Sequence, residues 1–413
     1  MRIDNNMLTI KKLVFRFIFR IVYFAVYFSI DLKFRLNKQK HFVQRNTIVS
    51  IIKRLLDVEK RVVADNIYRK NLAYAHSYLV VYKLYLFLLS KHLHKNTQIK
   101  NIHNKIDFEK GTIFLTFHFI GNIENLVRWI SLNNNELHII YGKNFFTKDA
   151  ERLLGKKKDD TFENLKYIHQ YNKLFKLKLI SFDEPNIFYE LSNILKSGGK
   201  VLFMFDEFPK TTKNETHFFK YRINDYFAAR VPKTIFYLLK KTNCQLVPII
   251  NVRENIINNS VHILGNINYN YALPNVSFEV ESERVLKIVY DFFVSHLRET
   301  PELLMPSVWL RFYYYVKSSS NIRNNTITTL IDSNKSYKPE GDFICYLNRR
   351  KNFGYIFREN DLKCAKVSAI SVKIFSELIR KNHISKNELM IYRDEINAML
   401  SNFAKEGFIS ELK

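Results

Sequence analysis

The chain has 413 residues, 47% of them hydrophobic and 15% aromatic, enough apolar surface for a large packed core, which excludes disorder over most of its length. Lys and Arg number 65 against 39 Asp and Glu, a formal charge of +26 that directs the chain toward anionic partners and leaves the fold open. The basic residues form no single block, so a membrane surface or an acidic protein is favoured over nucleic acid.

The chain opens on an apolar stretch, LVFRFIFRIVYFAVYFSI over 13–30, interrupted by Arg16 and Arg20. Lys12, Arg16 and Arg20 are spaced by four, so they share one face of a helix. A basic stripe on a Phe/Ile/Val/Tyr helix is the pattern of a helix lying in the membrane interface over residues 1–40. A tilted span with snorkelling arginines and a core helix of the main domain are the other readings of this stretch. No small-residue cleavage site follows it. Residues 1–60 carry 13 Lys and Arg against 4 Asp and Glu, which fits anionic lipid on the cytoplasmic side.

Helical segments are expected at roughly 41–65 and 67–96. From 111 the texture changes to short apolar runs: 112–117, 137–142, 177–180, 200–205 and 245–250. Helix-like stretches separate several of them, such as 187–197, closed by Gly198 and Gly199. Continuous apolar strands alternating with helices predict an α/β domain built on a mostly parallel sheet, over 41–317. Residues 318–340 are polar, include Pro339 and read as a linker. From 341 to 413 a hairpin at GDFICYLNRRKNFGYIFREN and helices at about 366–381 and 386–405 outline a small winged-helix unit.

Cys244, Cys345 and Cys364 are far apart with no CxxC, which supports neither a disulfide framework nor a zinc knuckle. A reducing compartment is the default. No GxxxxGK[ST], GxGxxG or GxSxG occurs, so nucleotide-binding and serine-hydrolase readings drop out. His103 and His138 lack metal-ligand spacing and read as surface or packing residues. Neither a metal nor a cofactor is expected.

Chemistry points to GTIFLTFHFIGNIENLVRW (111–129). A buried strand delivers His118 at its carboxyl end, where ligands gather in α/β sheets. Gly121 and Asn122 then turn the chain into a helix carrying Glu124, with Asn122 a good N-cap. A carboxylate there fixes the imidazole tautomer and stabilises its cation, while the other ring nitrogen takes a proton from a hydroxyl or amine. A strand-end histidine also serves as a packed or capping residue, and context decides between the two.

That context is a resemblance. The stretch resembles the aHxGNWE signature of the lipid A biosynthesis acyltransferases, within the lysophospholipid acyltransferase-like superfamily and its HxxxxD/E motif. The likeness continues through KRVVADNIYRKNL (60–72), LKSGGKVLFMFDEF (195–208), YFAARVPKTIFYLLKKTNCQLVPIINVR (226–253) and PSVWLRFYYYVK (306–317). It matches Asp206 to a family aspartate and sets Trp309 and Lys317 in register with the closing motif. Two departures stand out. Glu124 follows His118 by six residues rather than five, so the pairing requires His118 to sit off the helix, and Tyr313, Tyr314 and Tyr315 occupy the place of a family arginine.

The resemblance implies transfer of a fatty acyl chain from an acyl carrier protein or coenzyme A thioester to a hydroxyl or amine. His118 would be the general base, oriented by Glu124, with Asp206 in the same cleft. Gly121 and Asn122 belong to the turn whose backbone N–H groups face the oxyanion, and Arg253 and Trp309 are candidate substrate contacts. Asp206 also reads as a loop cap and Arg253 as a solvated surface residue. The implied location is the cytoplasmic face of a bacterial inner membrane. Residues 341–413 resemble the PqqD-like peptide-recognition fold, implying a precursor peptide as acceptor. The near charge balance of 386–405 disfavours a helix that enters a DNA groove. A lipid A-type or lysophospholipid acyltransferase is the second reading, and a decayed lipid- or peptide-binding scaffold the third.

Overall fold

The computed structural model describes residues 2–36, 38–89, 97–101, 106–117, 126, 130, 136–141, 177–181, 185–205, 218–224, 227–253, 259–271, 275–304, 306, 309, 314–315, 337–348, 352–360, 362–383, 400–404 and 407–411. They form two compact units, residues 1–30 with 66–314 and residues 31–65 with 315–413.

Three helices open the chain: α1 (Arg2–Leu36), α2 (Lys38–Leu55) and α3 (Arg61–Leu89). Over Thr9–Leu36, α1 is long and apolar enough to cross a membrane. Asp57 takes a left-handed conformation (φ 57°) after α2, while Val58 N–H returns to the Lys53 carbonyl at 2.7 Å. Such a closure satisfies a helix end and frees the chain to start α3.

The centre of the first unit is a seven-stranded sheet in the order β1-β9-β8-β2-β5-β3-β4. Its strands are β1 (Thr97–Asn101), β2 (Thr112–Thr116), β3 (Leu137–Tyr141), β4 (Leu177–Ser181), β5 (Lys200–Met204), β8 (Gln245–Arg253) and β9 (Asn259–Ile263). Strands β8, β2, β5, β3 and β4 run parallel; β9 is antiparallel to β8, and β1 follows β9. Every residue of β2 and β5 is buried, which is why both read as continuous apolar runs rather than alternating ones. A hairpin, β6 (Phe218–Arg222) and β7 (Phe227–Pro232), leads into the crossover to β8.

Helices α4 (Ile187–Lys196), α5 (Lys233–Thr242) and α6 (Phe278–Glu299) belong to this unit. Gly198 ends α4 with φ +86°, and Gly111 enters β2 so close to α4 that an added Cβ would lie 1.9 Å from the Leu195 carbonyl oxygen. The glycine is thus what lets the helix terminus rest on the strand entrance. One sheet face carries Phe114, Leu137, Ile139, Leu202, Met204 and Val247, with Leu126 and Ile130 packed against them. The result is a mixed α/β unit with a largely parallel sheet flanked by helices.

The second unit differs from the division drawn from sequence, which assigned 41–317 to one domain: α2 lies with residues 315–413. The reason is a buried carboxylate. Glu359, 5% exposed, contacts the Arg61 guanidinium, accepts from Lys53 Nζ at 3.5 Å and lies 3.3 Å from Ser50 Oγ. Burial pulls Arg61 down to about 10, against the pull of Asp65. Phe42 adds ring contacts to Tyr346 and Tyr355 at 5.4 and 5.7 Å.

Within this unit, β11 (Phe343–Asn348), β12 (Phe353–Arg358) and β13 (Lys363–Ser368) form an antiparallel sheet. The expected hairpin is present. Residues 366–368, expected to open a helix, instead complete the third strand, and Ser368 caps α7 (Ala369–Lys381) by accepting from Ser371 N–H at 3.1 Å. Helix and sheet enclose Ile356, Phe375, Leu378, Leu400, Phe403 and Phe408. Of the expected linker, β10 (Tyr337–Pro339) pairs antiparallel with β14 (Ile409–Glu411), closing the unit on itself. Of the helix expected at 386–405, residues 400–404 are described and helical.

Candidate active site

Strands β2 and β5 are parallel neighbours with Thr116 opposite Met204, and Phe205 N–H donates to the Thr116 carbonyl at 2.6 Å. They leave the sheet side by side. From β2 the chain crosses over β5 to β3; from β5 it goes the other way, past β2 to β8. Right-handed crossovers in opposite senses lie on opposite faces, which makes the carboxyl ends of β2 and β5 a topological switch point. The packing agrees with that rule. Leu126 and Ile130, on the way to β3, cover one face. Phe117 and Phe205 face the other, where they meet Tyr290 and Phe293 of α6.

This second face forms an aromatic wall directly below the switch point. Phe117 and Phe205 are 5.7 Å apart edge to face, Tyr290 lies 5.3 Å from Phe205, and Tyr221 of β6 stacks on Tyr290 at 4.9 Å. Burial, then Asp291 and Glu283, raise the Tyr221 phenol, so it stays neutral. Phe117, Phe205, Tyr290 and Phe293 are all buried, so this edge-to-face cluster is packed core that fixes the ends of the two strands.

Counting along the chain, His118 comes two residues after Thr116 and Asp206 two after Met204. His118, Gly121, Asn122, Glu124 and Asp206 lie outside the described residues. Arg253 ends β8 opposite Asn259, with its side chain also outside the description.

Trp309 is placed in the interior. It is fully buried, and its indole Nε1–H donates to Asn71 Oδ1 at 3.3 Å. Asn71, fully buried on α3, donates through Nδ2 to the Glu302 carbonyl at 2.9 Å and to the Leu304 carbonyl. Two of the sequence motifs singled out above, 60–72 and 306–317, therefore meet in one polar knot. Their joint role is to tie α3 to the segment after α6. Sequence reasoning passed over Asn71, although an Asn inside an apolar helix signals a buried partner.

Another group missed from sequence is an imidazole pair. His296 Nδ1 is 2.8 Å from the Phe292 carbonyl, to which it donates, and its Nε2 shares a hydrogen bond with His262 Nδ1 at 2.8 Å. The two rings bind α6 to β9 by a chain of hydrogen bonds. His138 packs as expected, with Nδ1 3.3 Å from the Lys200 carbonyl, and burial lowers its ring below the ordinary 6.5. A surface groove of about 540 Å³ on α4 and α5, lined by Phe188, Tyr237, Lys240 and Lys241, holds neither an imidazole nor a carboxylate.

No protein-family model matches the chain, and no curated protein matches it in sequence.

Proposed function

We propose that the chain is an acyltransferase that moves a fatty acyl group from an acyl carrier protein or coenzyme A thioester to a hydroxyl or amine. What supports this reading most is the register of β2 and β5. The segments carrying His118 and Asp206 leave adjacent parallel strands at the topological switch point, where α/β sheets collect their ligands. The buried cluster of Phe117, Phe205, Tyr290 and Phe293 holds the ends of β2 and β5, from which both segments depart, against α6.

In this reading His118, held by Glu124, takes the proton of the acceptor O–H or N–H. The freed lone pair attacks the thioester carbonyl carbon, and backbone N–H groups of the 120–123 turn, which includes Gly121 and Asn122, hold the oxyanion. Collapse breaks the C–S bond, and the imidazolium returns its proton to the thiolate. Neither a metal nor a covalent enzyme intermediate is needed. Asp206 lines the cleft and Arg253 faces a donor phosphate. The C-terminal unit, read as a PqqD-like module, recruits a precursor peptide as acceptor by pairing it with a sheet edge.

The test is thiol release from acyl-thioester donors by the full chain and by His118→Ala. A loss of about 10²–10⁴-fold is expected for removal of a general base. Equal rates in both proteins would refute the assignment of His118. A wild-type chain that binds lipid but never turns over would assign the fold to a binding protein.

A further inference from the structure

Helix α1 has two apolar faces, and among the described residues one of them is packed and the other exposed. Phe15 and Phe19 are buried, Phe19 meets Tyr74 of α3 at 5.6 Å, and Tyr27 donates to Asn66 Oδ1 at 3.1 Å. Advancing about 100° per residue, the opposite face carries Ile10, Leu13, Val14, Phe17, Ile21, Phe24 and Phe28. All seven are exposed, Phe17, Phe24 and Phe28 at 67, 68 and 69%. The stripe from Ile10 to Phe28 is about 27 Å long at 1.5 Å per residue. By the same helical geometry, Arg16 and Arg20 lie on one flank between the two faces and Lys11 on the other.

We propose that this stripe docks in the plane of an anionic bilayer, its phenylalanines among the acyl chains and its flanking cations on the headgroups, while the Phe15–Phe19 face stays on α3. Two observations select in-plane docking over a span. A spanning α1 would put its whole circumference in lipid, which requires breaking the contacts to Tyr74 and Asn66. It would also bring Arg20 near mid-bilayer, where a cation is costly, whereas in the plane Lys11, Arg16 and Arg20 reach headgroup phosphate. Charge selects lipid as the occupant: an apolar stripe edged by Lys11, Arg16 and Arg20 matches a surface with an apolar interior and an anionic rim. This inference stands independently of acyl transfer, because its readouts are binding and sidedness.

The experiment uses the full chain and flotation with phosphatidylcholine vesicles, with and without 30 mol% phosphatidylglycerol. The variant Phe17→Ser/Phe24→Ser/Phe28→Ser is expected to lose binding to both vesicle types by at least tenfold. Arg16→Gln/Arg20→Gln is expected to lose only the gain given by phosphatidylglycerol, together with its salt dependence. The three phenylalanines are exposed and the two arginines lie on the flank, so unchanged circular dichroism and elution volume are expected with both losses. Tags at the two chain ends, probed by protease in sealed vesicles, are expected on the same side. Tags on opposite sides overturn the proposal in favour of a span. A serine variant that keeps vesicle binding but changes from dimer to monomer overturns it in favour of a second copy.

Discussion

Replacing Asn71 by Ala tests how the first unit is tied together. The amide is fully buried and makes three hydrogen bonds: from Trp309 Nε1–H, and to the carbonyls of Glu302 and Leu304. Alanine removes all three and leaves buried groups facing a void. A buried polar group stripped of a partner costs about 1–3 kcal/mol. The bond from Trp309 is long and counts at the low end, and the two carbonyls share one donor group. The total is therefore about 3 kcal/mol, roughly 150-fold in the unfolding equilibrium at 1.36 kcal/mol per decade. Asn71→Asp is predicted to cost more, because a carboxylate offers no donor to two carbonyl oxygens. Trp309→Phe keeps most of the burial and is predicted to cost about half as much as Asn71→Ala. The assay is urea unfolding followed by far-ultraviolet circular dichroism of the full chain in mild detergent, with midpoints compared at equal slope. An Asn71→Ala shift under about 0.5 kcal/mol, against the cost just derived, would refute the reasoning.

Three other outcomes follow from single contacts. Gly111→Ala is predicted to lower the unfolding midpoint by driving α4 off the entrance of β2, since its Cβ would meet backbone rather than a movable side chain; the same substitution at exposed Ser197, as control, leaves the midpoint in place. Glu359→Ala leaves Arg61 half-buried beside Arg45 without its carboxylate, and costs the second unit about 1–3 kcal/mol, read from proteolysis rates at the β12–α2 contact. The folded state holds His138 below its ordinary 6.5, while the unfolded ring takes up a proton as the pH falls through that value. Acid therefore favours unfolding from about pH 6.5 downward, and His138→Gln is predicted to flatten that part of the stability profile, measured by urea titration between pH 7.5 and 5.

How far the fold was legible depended on where each segment finds its partners. The buried strands 112–116, 137–141, 200–204 and 245–253 were readable because a strand covered on both faces must be apolar throughout. Helix α4 was readable from its period and its terminal glycines. The β6–β7 hairpin was not, because FFKYR and FAARVP mix charge with aromatics and take their order from a turn outside the apolar pattern. Strand β9 runs antiparallel to β8 and parallel to β1, and no local signal encodes that direction. The assignment of α2 to the C-terminal unit rests on Glu359, more than 300 residues from Ser50 and Lys53. A contact at that separation leaves no trace in periodicity.

For the candidate site, sequence yields a place on the sheet and the fold supplies its neighbours. A histidine directly after a buried strand marks a sheet edge, and the register of Thr116 with Met204 joins that edge to the segment bearing Asp206. The role given to Trp309 needed the fold: an aromatic in a closing motif reads equally as ligand contact or core, and its bond to Asn71 places it in the core. The two-faced character of α1 was half visible. The sequence displayed the cations, but which apolar face the protein covers depends on Tyr74 and Asn66, far along the chain.

The most direct test follows an isotopically labelled acyl group. The full chain, on anionic vesicles, receives a labelled acyl-thioester and candidate hydroxyl or amine acceptors, and products are weighed by mass spectrometry. The account predicts label on an acceptor oxygen or nitrogen, one thiol freed per label moved, and neither with His118→Ala. Label transfer that survives that substitution would contradict it.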